Sequence, residues 1–272
     1  VLKDILRSGA IFSLKLDEIF RQAQESMIIY NAHEINAGRM PDCSSSSDFI
    51  FREIENEDQT AAEIVTLCQK QLPAMGYDPL TDVQVLSPMH RLPCGVSNLN
   101  KLLQEALNNP ANDKSEYRTA AQVFRVGDKV MQIKNNYDIR WFRENGETGE
   151  GIFNGDIGII TRIDRKTKSL VVKFFDKIAR YTFEFAGDLD FAYAITVHKS
   201  QGNEFDAVII PMFSGPPQLY YRNLLYTAVT RAKKTLVLVG NPSTVEYMVN
   251  NNRRTKRYSG LKEFLLRDDT LY

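Results

Sequence analysis

The sequence has few of the features that mark an extracellular or membrane protein. Its three cysteines, Cys43, Cys68 and Cys94, are scattered and form no CxxC pair. This distribution argues against a disulfide framework or a zinc site and favours reduced thiols in the cytoplasm. The longest apolar runs, such as 207–213, are far too short to span a bilayer, and residues 1–16 lack the layout of a secretory signal. We therefore predict a cytoplasmic protein with no metal site and no membrane segment.

The sequence also lacks an excess of charge, since 34 Lys and Arg residues balance 34 Asp and Glu residues. Any interaction with nucleic acid must therefore depend on local patches. No Gly-Lys dipeptide occurs, so the chain has no phosphate-binding loop of the form GxxxxGK[ST]. Its 272 residues suffice for one large or two small domains. Because there is no initiating Met, we expect a fragment of a longer chain.

The hydrophobic patterns predict an α/β protein interrupted by a β-rich insertion. Residues 1–123 and 191–272 mix helical and strand patterns, whereas 124–190 is alternating and turn-rich, as in a small antiparallel barrel of about five strands. Thr60 is the expected N-cap of the second helix. The predicted elements outside the insertion are strand 11–16, helix 21–38, strand 48–54, helix 60–75, strand 82–89, helix 96–108, strand 206–211, helix 222–234 and strand 235–240.

Three polar stretches lie beside these apolar elements, namely LDEIFRQ at 16–22, AYAITVHKSQGNEF at 192–205 and LLYTAVTRAKK at 224–234. Ligands of open α/β sheets bind at the carboxyl ends of strands, and we expect Arg21 and Arg231 to face one such edge. A guanidinium offers a fixed pair of donors to two phosphate oxygens, so the two arginines indicate phosphate recognition. The alternative is that each arginine pairs with a surface carboxylate.

These stretches resemble the motifs of superfamily 1 helicases. Residues 16–36, 192–211 and 224–240 resemble motifs IV, V and VI, and 83–100 resembles the segment that follows motif IV. With the predicted barrel, the pattern is most similar to RecD-like 5′→3′ DNA helicases of superfamily 1B, the exodeoxyribonuclease V alpha subunit type. The resemblance covers nearly the whole chain. It implies an α/β motor domain with a RecA-like parallel sheet of the P-loop NTPase type and an inserted SH3-like β-barrel.

The resemblance also implies a set of site residues. Arg231 and Arg21 are the catalytic candidates. The candidates for binding the nucleotide are Gln22, Gln201, Gly202 and Glu204. The candidates for binding single-stranded DNA are Thr196, His198, Lys199, Ser87, His90 and Arg91. In this interpretation the polar cluster from His198 to Glu204 faces DNA on one side and the nucleotide on the other.

The implied cofactors are ATP and Mg²⁺, bound mainly by an N-terminal motor domain that precedes Val1 in the same full-length chain. The acidic pair at 17–18 imitates a magnesium site but falls within the motif IV stretch, so we assign no metal to it. The implied partners are single-stranded DNA and that N-terminal domain. RecBC-like nuclease partners are left undetermined.

Residues 162–180 carry seven Lys or Arg residues against two Asp residues, interleaved with Phe174, Phe175 and Tyr181. Basic grooves with aromatic platforms suit single strands, so Arg165, Lys166 and Lys168 are further DNA-binding candidates. The alternative is an edge strand protected by lysines. At the level of the whole chain, a non-catalytic single-stranded nucleic-acid-binding module is the alternative function, and other superfamily 1B helicases share these motifs.

Overall fold

The computed structural model describes residues 1–14, 26–44, 46–111, 114–120, 122–213, 215–252 and 260–266. The chain divides into two units. In the unit formed by Val1–Ser26 and Arg253–Tyr272, the helices α1 (Leu2–Ser8) and α8 (Leu261–Leu265) pack against each other. Residues 11–14 contain no strand, so the strand predicted at 11–16 is wrong over its described part.

A parallel sheet of five strands forms the centre of the larger unit, Met27–Asn252. Its strands are β1 (Phe49–Glu53), β2 (Val83–Ser87), β12 (Ala194–Thr196), β13 (Phe205–Met212) and β14 (Ala232–Gly240). Their spatial order is β1-β14-β13-β2-β12. The central strand β13 is buried continuously from Ala207 to Met212, which confirms the prediction of a strand covered on both faces.

Helices cover both faces of this sheet. The helices are α2 (Met27–Ala37), α3 (Glu57–Thr66), α4 (Leu72–Ala74), α5 (Val96–Leu107), α6 (Arg222–Val229) and α7 (Pro242–Asn250), with a π-helical turn at Leu67–Gln71. Successive strand residues point to opposite faces. Val208 and Ile210 therefore join the core beneath α2, α6 and α7, while Ala207 and Ile209 join the core beneath α3 and α5. The predicted α/β class with a parallel sheet is confirmed.

Two helix boundaries differ from the prediction. Helix α3 begins at Glu57, and its N-cap is Asn56, whose side chain accepts a hydrogen bond from Gln59 N at 3.1 Å. Thr60 is not the cap, because it lies inside the helix and its hydroxyl donates to Asn56 O at 3.1 Å. An Asn at this position satisfies one of the helix's unpaired amides, as Thr would have done.

Helix α6 ends at Val229, five residues before the predicted end at 234. The amide of Phe205 donates to Arg231 O at 2.9 Å, and Ala232 pairs with Phe205 in the parallel sheet. Pairing with β13 therefore overrides the helical propensity of the Ala-Lys-Lys segment.

A seven-stranded antiparallel sheet is inserted between α5 and β12. Its strands are β5 (Lys129–Gln132), β6 (Asn136–Phe142), β7 (Thr148–Ile152), β8 (Ile157–Asp164), β9 (Ser169–Phe174), β10 (Lys177–Thr182) and β11 (Leu189–Phe191), in the spatial order β11-β5-β8-β9-β10-β6-β7. A ribbon of β3 (Glu116–Arg118) and β4 (Val123–Arg125) precedes it, and a 3₁₀ segment spans Phe183–Asp188. Phe174 and Tyr181 are buried in its core, so their predicted role as aromatic platforms is wrong.

Two buried charged residues join the insertion to the parallel sheet. The Lys129 ammonium donates to Val83 O at 2.8 Å, at the amino end of β2. The adjacent Asp128 carboxylate accepts hydrogen bonds from Gln104, Asn108 and Tyr193. Burial lowers the pKa of Lys129 to about 8 and raises the pKa of Asp128 above its usual range.

Candidate functional site

The polar stretch that resembles motif V forms a loop, 197–204, that leads from β12 to β13. Its turns are held by backbone hydrogen bonds from Ser200 N to Thr196 O (3.2 Å) and from Asn203 N to Ser200 O (3.0 Å). Gly202 has φ +90°, a conformation that favours glycine. Because β12 and β13 are parallel, the loop starts at the carboxyl edge of the sheet and ends at its amino edge.

Arg231 lies at this amino edge, in the turn between α6 and β14. Its position differs from the expected one, because Arg231 precedes the first residue of a strand and does not follow a carboxyl end. Its guanidinium donates from Nη1 to Asn203 O (3.0 Å), from Nε to Thr227 O (3.1 Å) and from Nη2 to Thr230 Oγ1 (3.3 Å). The structure therefore brings Arg231 together with the end of the loop.

All three acceptors of Arg231 are neutral. Among the described residues, no Asp or Glu forms an ion pair with it, so the alternative of a surface carboxylate partner is not observed there. A half-buried guanidinium whose acceptors within the described ranges are all neutral is suited to an anionic ligand. Arg21 and Gln22 lie outside the described residues, and the convergence of Arg21 with Arg231 stays a prediction.

A groove of about 480 Å³ separates the loop from the turn between β7 and β8. His198, Lys199, Gln201 and Gly202 line one wall, and the turn 154–156 lines the other. The motif resemblance predicts that His198 and Lys199 contact DNA and that Gln201 and Gly202 contact the nucleotide. The structure does not separate these pairs, because consecutive turns fold the loop back on itself. We call this feature the polar groove.

Glu204 lies in a different cavity, of about 650 Å³, whose walls include Lys129, Ile157 and Phe205. Asn203 borders both spaces and links them. Its carbonyl accepts the hydrogen bond from Arg231, and its Nδ2 donates to Gly155 O of the inserted domain at 3.4 Å. Sequence reasoning missed Asn203 because a main-chain acceptor leaves no residue-type signal.

Two predicted DNA-binding hydroxyls are buried. Ser87 has no exposed surface, and its hydroxyl donates to Cys94 O at 2.8 Å. The prediction that Ser87 binds phosphate is therefore wrong, since its hydroxyl closes the loop after β2. Thr196 is also buried, and its Oγ1 accepts a hydrogen bond from Lys199 N at 3.3 Å.

The other candidates near the carboxyl edge reach the surface. His90 and Arg91 are exposed in the loop after β2, and His90 borders a cavity of about 500 Å³ that also includes Asp190. Lys199 lies 3.9 Å from that aspartate, and exposed His198 lies 3.5 Å from the Tyr221 hydroxyl. Imidazole, guanidinium and ammonium groups are therefore available on this side for backbone contacts with nucleic acid.

Arg165, Lys166 and Lys168 are exposed at the tip of the β8–β9 hairpin. Arg165 Nε donates to Glu116 O at 3.2 Å, and Lys168 has φ +47° in the turn. Elsewhere in 162–180 the basic charge is partly paired, for example between Lys173 and Glu144 at 3.0 Å. The exposed charge is thus concentrated at the hairpin tip.

The described part of the chain contains no group of three or more His, Cys, Asp or Glu side chains placed to hold a metal ion. Within those same residues, no helix combines the length and the apolar character that crossing a membrane requires.

The inserted antiparallel domain and the strands and loop around Arg231 each match a family model of helicases. Residues 99–174 match the family model described as the ATP-dependent RecD-like DNA helicase SH3 domain, and residues 191–239 match that of the UvrD-like helicase C-terminal domain. The expected resemblance to RecD-like helicases, with an SH3-like insertion in the C-terminal motor region, is confirmed.

Curated relatives support this assignment. The chain is 32% identical over 244 residues to the ATP-dependent RecD2 DNA helicase of Deinococcus radiodurans, covering 90% of this chain and 31% of the relative. It is 34% identical over 137 residues to the RecBCD enzyme subunit RecD of Mycobacterium tuberculosis, covering 50% of this chain and 21% of the relative. The chain thus spans a third or less of the length of these two relatives.

Solved structures with a similar chain path include two Pif1 helicases. The Candida albicans enzyme has a TM-score of 0.48 and 19% identity, over 84% of this chain and 57% of that chain. The Bacteroides enzyme in complex with ADP-AlF3 and single-stranded DNA has a TM-score of 0.48 and 17% identity, over 92% of this chain and 55% of that chain.

Proposed function

We propose that this chain is the C-terminal motor half of an ATP-dependent DNA helicase that translocates 5′→3′ on single-stranded DNA. The observation that carries the proposal is the position of Arg231. Its guanidinium is half-buried at the sheet edge, beside the 197–204 loop, and is bonded only to neutral acceptors among the described residues. An arginine in such a place can neutralise the charge of a transferring phosphoryl group.

The nucleotide in this proposal is ATP with Mg²⁺, held mainly by an N-terminal motor domain of the full-length chain. Bound there, the nucleotide supplies a phosphoryl group whose transfer to water drives movement. Arg231, with Arg21, would face its phosphates from this half. Gln22, Gln201, Gly202 and Glu204 would border the nucleotide. The absence of Gly-Lys from the sequence, and of a metal-binding cluster from the described residues, supports a division of the site between two domains.

The DNA in this proposal lies along the loop and the carboxyl edge, where His198, Lys199, His90 and Arg91 reach the surface or its border. Such contacts address the backbone and carry little sequence information. Closure and opening of the cleft between the two motor domains would move the DNA-binding surface of each domain along one strand in turn. Asn203 supports this coupling, because it contacts Arg231 on one side and the inserted domain on the other.

We further propose a cytoplasmic location and single-stranded DNA as the partner, together with the N-terminal motor domain. The relatives include RecD subunits of RecBCD enzymes. A RecBC-like nuclease partner for this chain is not part of the proposal, because no described surface favours one.

Replacing Arg231 tests the proposal in the full-length protein. We expect Arg231→Ala to lower ATP turnover by on the order of a thousandfold, because the charge of the phosphoryl group is no longer neutralised. Affinity for single-stranded DNA should persist, since Arg231 lies outside the polar groove. Steady-state ATP hydrolysis and fluorescence anisotropy with a labelled oligonucleotide measure the two effects. Lys233→Ala is the matched control, because it removes an exposed positive charge two residues away.

A variant Arg231→Ala that hydrolyses ATP at the normal rate would show that the arginine assignment is wrong. If the unsubstituted full-length protein binds single strands and never hydrolyses ATP, the alternative of a non-catalytic binding module replaces the helicase proposal.

A further inference from the structure

Two aromatic side chains stand together on the surface of the inserted domain. Tyr137 of β6 is 66% exposed and Phe153, just after β7, is 40% exposed. Their ring centroids are 5.6 Å apart, with an interplanar angle of 71°. This edge-to-face geometry is a favourable arrangement for two rings, and it leaves ring surface open to solvent. We call this pair the aromatic edge.

The Phe153 ring has a fixed position. Gly151 has φ +97°, and a Cβ atom at that residue would lie 2.9 Å from Phe153 Cζ. The ring therefore rests directly on the Gly151 backbone. The Phe153 amide donates to the Asp156 carboxylate at 2.9 Å, which holds the turn that follows. A platform that is ordered before its ligand arrives loses less conformational entropy on binding.

The aromatic edge adjoins the polar groove. Phe153 directly precedes Asn154, the first residue of the turn that forms one wall of that groove. The amide of Asn154 donates to the Asn135 side chain at 2.9 Å, which ties the start of β6, and so Tyr137, to the same turn. The opposite wall carries His198 and Lys199.

We propose that the aromatic edge is a base-stacking platform for single-stranded nucleic acid whose phosphates lie in the polar groove. This inference rests on the proposed function and adds to it the contact made by the inserted domain. Every base presents a flat apolar face, so exposed rings beside a polar groove bind single strands without reading sequence.

Two ammonium groups near the groove keep exposed surface for phosphate contacts, although each has a carboxylate neighbour, with Lys199 3.9 Å from Asp190 and Lys134 3.5 Å from Asp188. Lys199 lines the groove, and Lys134, three residues before Tyr137, keeps 69% of its side chain exposed beside Asp188. Asp156 on the facing wall accepts a hydrogen bond from the Phe153 amide. Of the aromatic rings predicted from sequence, Phe174 and Tyr181 are buried in the core, whereas Phe175, between β9 and β10, is 92% exposed and stays a prediction.

Alanine variants of the full-length protein test the platform. We expect Tyr137→Ala and Phe153→Ala each to weaken binding of a labelled oligo-dT strand by about five- to tenfold, since one stacking surface is lost. Phe142→Ala is the matched control, because Phe142 lies on β6, roughly 17 Å further along the strand, and is 48% exposed. It should bind as the unsubstituted protein does.

Strands with abasic residues show whether the loss is due to stacking. Abasic substitution should weaken binding to the unsubstituted protein, and the two alanine variants should then differ little from it. A second measurement uses strands with 5-iodouracil, for which we expect photocrosslinks to Tyr137 or Phe153 by mass spectrometry.

Unchanged oligo-dT affinity in both variants, or a loss that is equally large with abasic strands, would overturn the platform and leave the proposed function standing. If the unsubstituted protein binds no single strand, both the proposed function and the platform fail. Crosslinks confined to the β8–β9 hairpin would also overturn the platform.

Discussion

The buried ammonium of Lys129 makes stability depend on pH. Burial lowers its pKa to about 8 from the ordinary value of 10.5, so between these values the unfolded chain binds more protons than the folded chain. The free energy of unfolding therefore rises with pH across that window. We expect a rise on the order of 3 kcal/mol attributable to Lys129, since each pKa unit corresponds to about 1.4 kcal/mol.

The comparison of the protein with Lys129→Met isolates this effect. The variant leaves Val83 O without this donor, which lowers the free energy of unfolding by the same amount at every pH. A change in the slope of that free energy against pH therefore reports only the titration of Lys129. Urea unfolding at several pH values between 8 and 10.5 measures the slope. Lys173→Met, which removes a largely exposed lysine paired with Glu144, should leave the slope intact. Parallel curves for the protein and Lys129→Met would contradict the prediction.

Among single residues, sequence reasoning located side chains with a chemical signature better than those with a structural role. Residue type and the resemblance to helicase motifs singled out Arg231 and the loop 197–204; the structure places them in contact, but at the amino edge of the sheet and not at the expected carboxyl edge. The Ser87 hydroxyl is used inside its own loop, which its residue type does not reveal. The contact of Asn203 with Arg231 uses its main-chain carbonyl, which any residue type could supply. The role proposed for Tyr137 and Phe153 depends on their exposure, which the sequence pattern does not reveal.

The exposed basic residues of the β8–β9 hairpin allow a test of whether this element binds single-stranded DNA. Changing Arg165, Lys166 and Lys168 to Gln should lower affinity for single-stranded DNA, because fewer counterions are released on binding. The slope of log affinity against log salt should fall by about 0.7 for each phosphate that the hairpin no longer neutralises. Titrations at several salt concentrations measure it, with Lys70→Gln as an exposed control on another element.

An unchanged salt slope in the triple variant would make the hairpin part of the scaffold. The result would not bear on the aromatic edge, since base stacking contributes little to the salt dependence.

Elements were predicted well where burial dictates the pattern and poorly where pairing does. The strand β13 from Ala207 to Met212 and the part of β14 from Thr235 to Gly240 are continuously buried, and they overlap the predicted strands 206–211 and 235–240. The end of α6 was misplaced because pairing of Ala232 with Phe205 is a long-range contact. The sheet of the insertion has seven strands instead of about five, since β11 has only three residues and β6, in which Asn136, Asp138 and Arg140 alternate with apolar residues, was not predicted as a strand.

At the scale of the whole molecule, the proposed function makes the chain one side of a two-sided site. Its sequence has no Gly-Lys dipeptide and therefore no GxxxxGK[ST] loop, the loop that cradles phosphates in P-loop proteins. Arg231 can act only when another domain presents phosphates to it. We therefore predict that the purified 272-residue chain shows no ATP turnover, with or without single-stranded DNA, whereas the full-length protein does.

The parent gene provides an independent check on this division of labour. We expect the region upstream of Val1 to encode GxxxxGK[ST] within a few hundred residues, because the arginine of a motor needs a phosphate-binding loop across the cleft. The test combines the sequence of that region with measurements of phosphate release from ATP by the full-length protein and by the 272-residue chain. A missing loop, or ATP hydrolysis by the 272-residue chain alone, would mean that Arg231 serves a site of a different kind.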